Sequence, residues 1–292
     1  MIPATVEQTG QLLRSANYIA DEGLSTSLFL ALQMGKALFL EGEPGVGKTE
    51  LAKVISYAFD TPLIRLQCYE GLDINHAVYE WNYPRQLLAI QASQHHVNQH
   101  DSADDTTFAD IFSEDFLLKR PLLQALDPSH DKPPILLIDE LDRADEEFES
   151  FLLELLSDFQ ITIPEIGTLR ATHRPIVIIT SNRTREIHDA LKRRCVYFWI
   201  DYPERQKEID IVRLKHPDLG QQLSDEIVDF MQTLRQQDLY KAPGIAETLD
   251  WALALQHLNA DHLDPKIVQA TLGIILKYQD DVDKIRANPM LA

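Results

Sequence analysis

The chain has 292 residues, 45% of them hydrophobic and 25% charged, with a formal net charge of -19. That length suits one large or two modest domains with a sizeable core, and the acidity opposes a generic nucleic-acid binder, which needs a basic footprint. Cys68 and Cys195 lie far apart and suggest neither a disulfide framework nor a zinc site; with no signal-like N-terminus and no 18-residue apolar run, the expectation is a cytoplasmic protein.

In chain order, the first apolar run with strand character is Leu38–Leu40, followed by a glycine-rich turn and an amphipathic pattern from Lys48 that predicts a helix. Leu63–Leu66 is the next strand. The stretch from Gln91 to Asp110 is polar and aperiodic and is expected to be a loop or exposed extension. Its His95, His96 and His100 have no supporting cysteine or carboxylate pattern, so a solvated loop is favoured over a metal site. Further strands follow at Ile135–Ile138, Ile176–Thr180 and Val196–Ile200, and a hairpin is predicted over Ile161–Leu169. Strands alternating with helices predict a parallel sheet covered on both faces. Beyond Tyr202-Pro203 only helical patterns remain: Glu204–Lys215, Ser224–Gln237, Ile245–Leu258 and Pro265–Gln279, the last with Asp264 as its N-cap. The division expected is an α/β nucleotide domain over 1–202 and an all-helical domain over 203–292.

Gly42-Glu43-Pro44-Gly45-Val46-Gly47-Lys48-Thr49 is a complete G-x-x-x-x-G-K-[ST] phosphate loop between a strand and a helix. Its glycines let backbone N–H groups close on phosphate oxygens, and the helix dipole adds positive potential. The residues expected to hold nucleotide are Glu43, Pro44, Gly45, Val46, Gly47, Lys48, Thr49 and Glu50. Lys48 would reach the β- and γ-phosphates and the Thr49 hydroxyl would ligate Mg²⁺.

Ile135-Leu136-Leu137-Ile138 ends in Asp139-Glu140, the pattern of a Walker B strand. Asp139 would hold the Mg²⁺ shell and Glu140 would polarise the attacking water; a separate glutamate points to a hydrolase that turns over. Asn182 closes the following strand. It would hydrogen-bond the γ-phosphate or the attacking water, or it simply begins a turn. Lys192-Arg193-Arg194 would stabilise a helix end, or present an arginine in trans to a neighbouring subunit's nucleotide.

The order of these motifs resembles that of the AAA+ ATPases. Glu41–Thr49, the stretch from Arg65 to Asp73, Asp139–Ala144 with the hairpin after it, and Ala190–Cys195 are similar to the MoxR branch. Tyr69–Leu87 and Pro243-Gly244-Ile245-Ala246-Glu247-Thr248-Leu249-Asp250-Trp251 resemble its CoxD-type members. The resemblance implies a three-layer αβα P-loop domain with a five-stranded parallel sheet in the order 5-1-4-3-2, a C-terminal helical lid and ring-shaped hexamers. It implies ATP and Mg²⁺ as cofactors, Asn182 as sensor 1, and Arg194 as the arginine finger with Arg193 second. It also implies an ATP-driven chaperone, partnered by a von Willebrand factor A-domain protein, that serves maturation of a molybdenum hydroxylase's metal centre. One departure stands out: no arginine occurs in Lys241–His257, where the family's sensor 2 arginine belongs, and Gly244 and Glu247 occupy that region. The competing readings are a nucleic-acid-linked nucleotide-gated machine and a binding switch that scarcely hydrolyses. The insertion around Leu72–Leu87 and the hairpin are expected to expose Ile163, Ile166, Tyr79 and Trp81 as contact surfaces away from the nucleotide.

Overall fold

A computed structural model describes residues 2–97 and 111–287. All five expected core strands form: β1 (Ala37–Gly42), β2 (Leu63–Gln67), β5 (Ile135–Asp139), β8 (Ile176–Ser181) and β9 (Cys195–Ile200); β3 (Tyr79–Trp81) pairs with β4 (Leu117–Lys119), and β6 (Gln160–Ile163) with β7 (Gly167–Arg170), in two small separate sheets. They make one sheet in the order β2-β5-β8-β1-β9. Counted as core strands one to five, that is the expected 5-1-4-3-2 parallel arrangement. β5 is buried along its whole length, which is why it reads as an uninterrupted apolar run rather than an alternating one.

Register decides which polar residues meet. β2 and β5 run parallel with Gln67 opposite Asp139, and β5 and β8 run parallel with Ile138 opposite Ile179. The ends of these strands therefore bring Gln67, Asp139 and Thr180 to one edge of the sheet.

Packing divides the chain into two compact units. One comprises Met1–Phe29, Leu40–Ala58 and Phe198–Ala292; the other comprises Leu30–Phe39 and Phe59–Tyr197. The second has a core built on Phe39, Leu136, Ile138, Val177 and Ile179, with Phe148 and Leu152 of the helix Glu146–Asp158. In the first, the helices Arg205–Lys215, Gln221–Arg235, Ile245–His257 and Pro265–Ile275 share their own core around Trp251, whose indole N–H donates to Thr271 Oγ1 at 2.8 Å. The phosphate-loop segment groups with these helices because an ion pair and a backbone bond hold it there: Lys215 Nζ to Glu50 Oε1 at 3.4 Å, and Ala246 N–H to Gly45 O at 3.1 Å. Lys207 to Asp21 at 2.8 Å ties the N-terminal segment to the same helices.

Several expectations need correction. Gln91 to Val97 is not loop but the end of a helix, Tyr83–Val97, because Ala89, Ile90 and Ala92 continue the helix-forming run into the polar stretch. His95 and His96 lie in that helix, and His100 with the rest of 98–110 lies outside the described residues. The helix from Pro265 stops at Ile275; the chain extends through Leu276 before a separate helix, Gln279–Arg286. The helix expected from Ser224 begins at Gln221. The Asp264 cap holds, its carboxylate accepting from the N–H groups of Lys266 and Ile267.

The hairpin forms from β6 (Gln160–Ile163) and β7 (Gly167–Arg170). Its apolar side chains do not face outward. Ile163 is fully buried, Trp81 is 8% exposed, and Tyr79 and Ile166 pack half-buried against the same core. The cause is alternation: Ile161 and Ile163 lie on one face of β6, and that face lies on the core beside Phe159. Among the described side chains, the insertion exposes Tyr83 and Leu87, with Leu88 next to it, each at least 60% exposed.

Candidate functional site

The phosphate loop has a conformation that only glycine adopts without strain at two positions, Gly45 at φ +80° and Gly47 at φ +97°. Lys48, 6% exposed, opens the helix Lys48–Phe59 and turns its ammonium onto the loop, donating to Gly42 O at 2.7 Å and Glu43 O at 2.8 Å. Tyr18 lies against Gly47, and burial, followed by the Asp21 and Glu50 carboxylates, pushes its phenol well above the ordinary tyrosine value. Gly244 begins the helix Ile245–His257 and approaches the loop backbone closely: a Cβ there would lie 2.8 Å from the carbonyl group of Gly45. Glu247 accepts from the Gly244 N–H at 2.8 Å, so the region expected to carry sensor 2 presents backbone and a carboxylate rather than an arginine. Lys241 is exposed.

The acidic residues are built by β5, β8 and β2. Asp139 is 2% exposed; its Oδ1 accepts from Thr180 Oγ1 at 2.6 Å, and its Oδ2 accepts from Arg65 Nε at 3.0 Å and Nη2 at 2.6 Å. Glu140 adopts a left-handed backbone, φ 55° and ψ 51°, which costs a non-glycine residue about 1–2 kcal/mol. That turn ends the strand abruptly and directs the carboxylate sideways, with the Glu140 N–H held by Thr180 Oγ1 at 2.9 Å. The Glu140 carboxylate accepts from Gln67 Nε2 and from Arg143 Nη1, both at 3.1 Å, and lies 3.5 Å from Asn182 Nδ2. Asn182 is fixed from behind, its N–H donating to Asp142 Oδ1 at 3.2 Å, and Asp142 also accepts from the N–H and hydroxyl of Thr184. Cys68 follows β2 with its N–H on Asp139 O at 2.9 Å; burial first, then Asp139, Asp142 and Glu140, pushes its thiol up to about 12. It is a packed thiol rather than a nucleophile.

Sequence reasoning singled out Asp139, Glu140 and Asn182, and the fold brings them together. It missed Arg65, Gln67, Arg143 and Thr180. Thr180 was legible as a hydroxyl near the end of the strand beside β5, whereas Arg65 and Gln67 needed the register. Of the basic triplet, Lys192 packs over the rings of Phe39 and Tyr197 at 5.7 and 5.9 Å. Arg194 donates to Ser157 Oγ at 3.0 Å and to Ala190 O at 3.3 Å. Arg193 is exposed, and among the described residues no hydrogen bond or ion pair restrains its guanidinium.

Taken separately, the Thr49 hydroxyl and the Asp139 carboxylate each offer oxygen, the donor type that a hard divalent cation takes. Asp139 is a buried carboxylate already neutralised by a cation, the guanidinium of Arg65. The positive-φ glycines fit a phosphate, because they leave room where a Cβ would intrude.

A family model, the AAA domain of the dynein-related subfamily, matches residues 37–195. The chain belongs to the AAA domain family. The matched span runs from β1 to the start of β9 and so contains the phosphate loop, Asp139, Glu140, Asn182 and the arginine pair. An uncharacterized protein of Staphylococcus haemolyticus is 25% identical over 223 residues, 74% of either chain. Another from Staphylococcus saprophyticus is 27% identical over 224 residues, 74% of this chain and 73% of its own. Two mutant forms of RuvB from Thermotoga maritima share the AAA domain's fold at a TM-score of 0.50 and 18% identity, covering 96% of this chain and 75% of theirs. No helix among the described residues is long and apolar enough to cross a membrane.

Proposed function

We propose that this AAA domain protein is a Mg²⁺-dependent ATPase. The observation that carries the reading is Glu140: a carboxylate held in a strained turn at the end of a buried strand, one residue beyond Asp139, accepting from Gln67 and Arg143 and lying beside Asn182, polar groups that can exchange for a water. Lys48 and the loop N–H groups take the charge of the β- and γ-phosphates. Thr49 and Asp139 would supply oxygens to a Mg²⁺ shell, and the ion, when bound, would supply positive charge beside the phosphates. Glu140 withdraws a proton from the attacking water while Asn182 orients that water or the γ-phosphate. Arg194, with Arg193 second, neutralises the transition state on a neighbouring subunit, which requires a ring. Both side chains are exposed, in keeping with that role.

The finer reading is a remodelling ATPase of the MoxR branch, closest to the CoxD type. It assembles as a hexameric ring over residues 1–202 with a lid over 203–292, and works with a von Willebrand factor A-domain partner on a molybdenum hydroxylase-type client. The resemblance of Tyr69–Leu87 and Pro243–Trp251 to that branch supports it. Lys48→Ala should weaken ATP binding, and Glu140→Gln should bind ATP but lose hydrolysis by about 100-fold or more, because only the water-activating step is removed. Wild-type turnover in Glu140→Gln would end the reading. The same variant, held in ATP, is the form with which to isolate the client.

A further inference from the structure

Arg65 is required by none of the chemistry above, yet it forms an ion pair with Asp139 at 2.6 Å. It lies on β2, the edge strand of the sheet, two residues before Gln67 and so on the same face. Nε and Nη2 both donate to Asp139 Oδ2, at 3.0 and 2.6 Å, which uses both lone pairs of that oxygen. Nη2 also bonds Gln67 Oε1, which steadies the guanidinium. The two partners differ sharply in exposure: the Asp139 side chain is 2% exposed and that of Arg65 is 51% exposed.

We propose that Arg65 is a displaceable counter-ion of Asp139, covering Oδ2 until a divalent cation, or water bound to one, takes that oxygen. This rests on the reading of Asp139 as part of the Mg²⁺ shell. A buried carboxylate without a counter-charge is costly, so the metal-free protein needs a cation there. A guanidinium half in water on an edge strand can swing outward at little cost, which a buried arginine could not do. Arg65 is thus a positioning residue that sets how much Mg²⁺ the site demands: it stabilises the empty state and competes with the metal. A purely supporting arginine would do the opposite, because its removal would disorder Asp139 and weaken the metal.

The sign of the effect therefore decides the matter, and turnover is not needed to read it. Mg²⁺ is titrated into the full chain with fluorescent mant-ADP for wild type, Arg65→Met and Arg65→Lys, and each protein is melted in EDTA and in saturating Mg²⁺-ADP. The half-saturating Mg²⁺ concentration should fall by about three- to tenfold in Arg65→Met, the scale of a charge-assisted bond discounted for its exposure. Arg65→Lys, which keeps the charge but loses the fork, should lie between. Arg65→Met should melt below wild type in EDTA, with the gap narrowing in Mg²⁺-ADP. An unchanged or raised Mg²⁺ requirement in Arg65→Met, beside a normal wild-type response, overturns this inference alone. A wild-type protein whose nucleotide binding ignores Mg²⁺ overturns the ATPase reading and the inference with it.

Discussion

Glu208 offers the sharpest test of how the C-terminal helices hold together. Its side chain is fully buried and accepts four hydrogen bonds: from Arg235 Nη1 at 2.6 Å and Nη2 at 2.7 Å, from Gln232 Nε2 at 2.7 Å, and from Thr248 Oγ1 at 2.7 Å. Arg235, 7% exposed, also donates to Pro243 O and lies over the Tyr202 ring. Glu208→Ala leaves a buried guanidinium with no counter-charge, while Gln232 and Thr248 keep their bonds to Pro203 O and Gly244 O; the loss should cost about 3–5 kcal/mol. With a urea slope of roughly 2 kcal/mol/M, the unfolding midpoint should fall by about 1.5–2.5 M. Glu208→Gln keeps the shape but not the charge, and should cost about 2 kcal/mol. Replacing the pair together, Glu208→Leu with Arg235→Met, should recover most of the loss, since apolar isosteres need no solvation. The assay is urea unfolding followed by circular dichroism and by tryptophan fluorescence, for which Trp251, buried one turn from Thr248, is the reporter. A midpoint within about 0.3 M of wild type for Glu208→Ala would show that water reaches Arg235 and that the node is not a dry ion pair.

Two further outcomes follow from packing. Ile163→Ser should lower stability by about 3 kcal/mol or more, because a fully buried isoleucine is lost and a hydroxyl is stranded in the core; a melting temperature near wild type would restore the hairpin as an exposed contact surface. Gly244→Ala, whose Cβ would meet only backbone atoms of Pro44 and Gly45 within 2.9 Å, should displace the start of its helix from the phosphate loop. Nucleotide affinity should then fall while helix content is kept, and unaltered affinity would show that this contact has no influence on the loop.

Much of the fold was written in local pattern. Strands β1, β5 and β8 are apolar runs of β-formers bounded by polar punctuation, and a strand buried on both faces needs nothing else to be recognised. The phosphate loop and Asp139-Glu140 were equally legible, because their chemistry requires particular residue types at adjacent positions. Glu140's left-handed turn was not, since the hydrogen bond that its N–H makes there is to Thr180 on another strand. Arg65 and Gln67 entered the site only through the register of β2 on β5, a relation between residues 72 to 74 positions apart. The same limit explains the hairpin: its sequence announced two short strands, but which face of them is buried depends on the helix and sheet beneath. Glu208, Arg235 and Thr248, carried by three helices, have no shared sequence signal at all. Sequence by itself determined the five core strands, the hairpin and the candidate site residues, because these follow from local stereochemistry and from the identity of side chains. Tertiary structure alone decided which charges meet, because a buried ion pair exists only where distant segments are packed closely enough to exclude water.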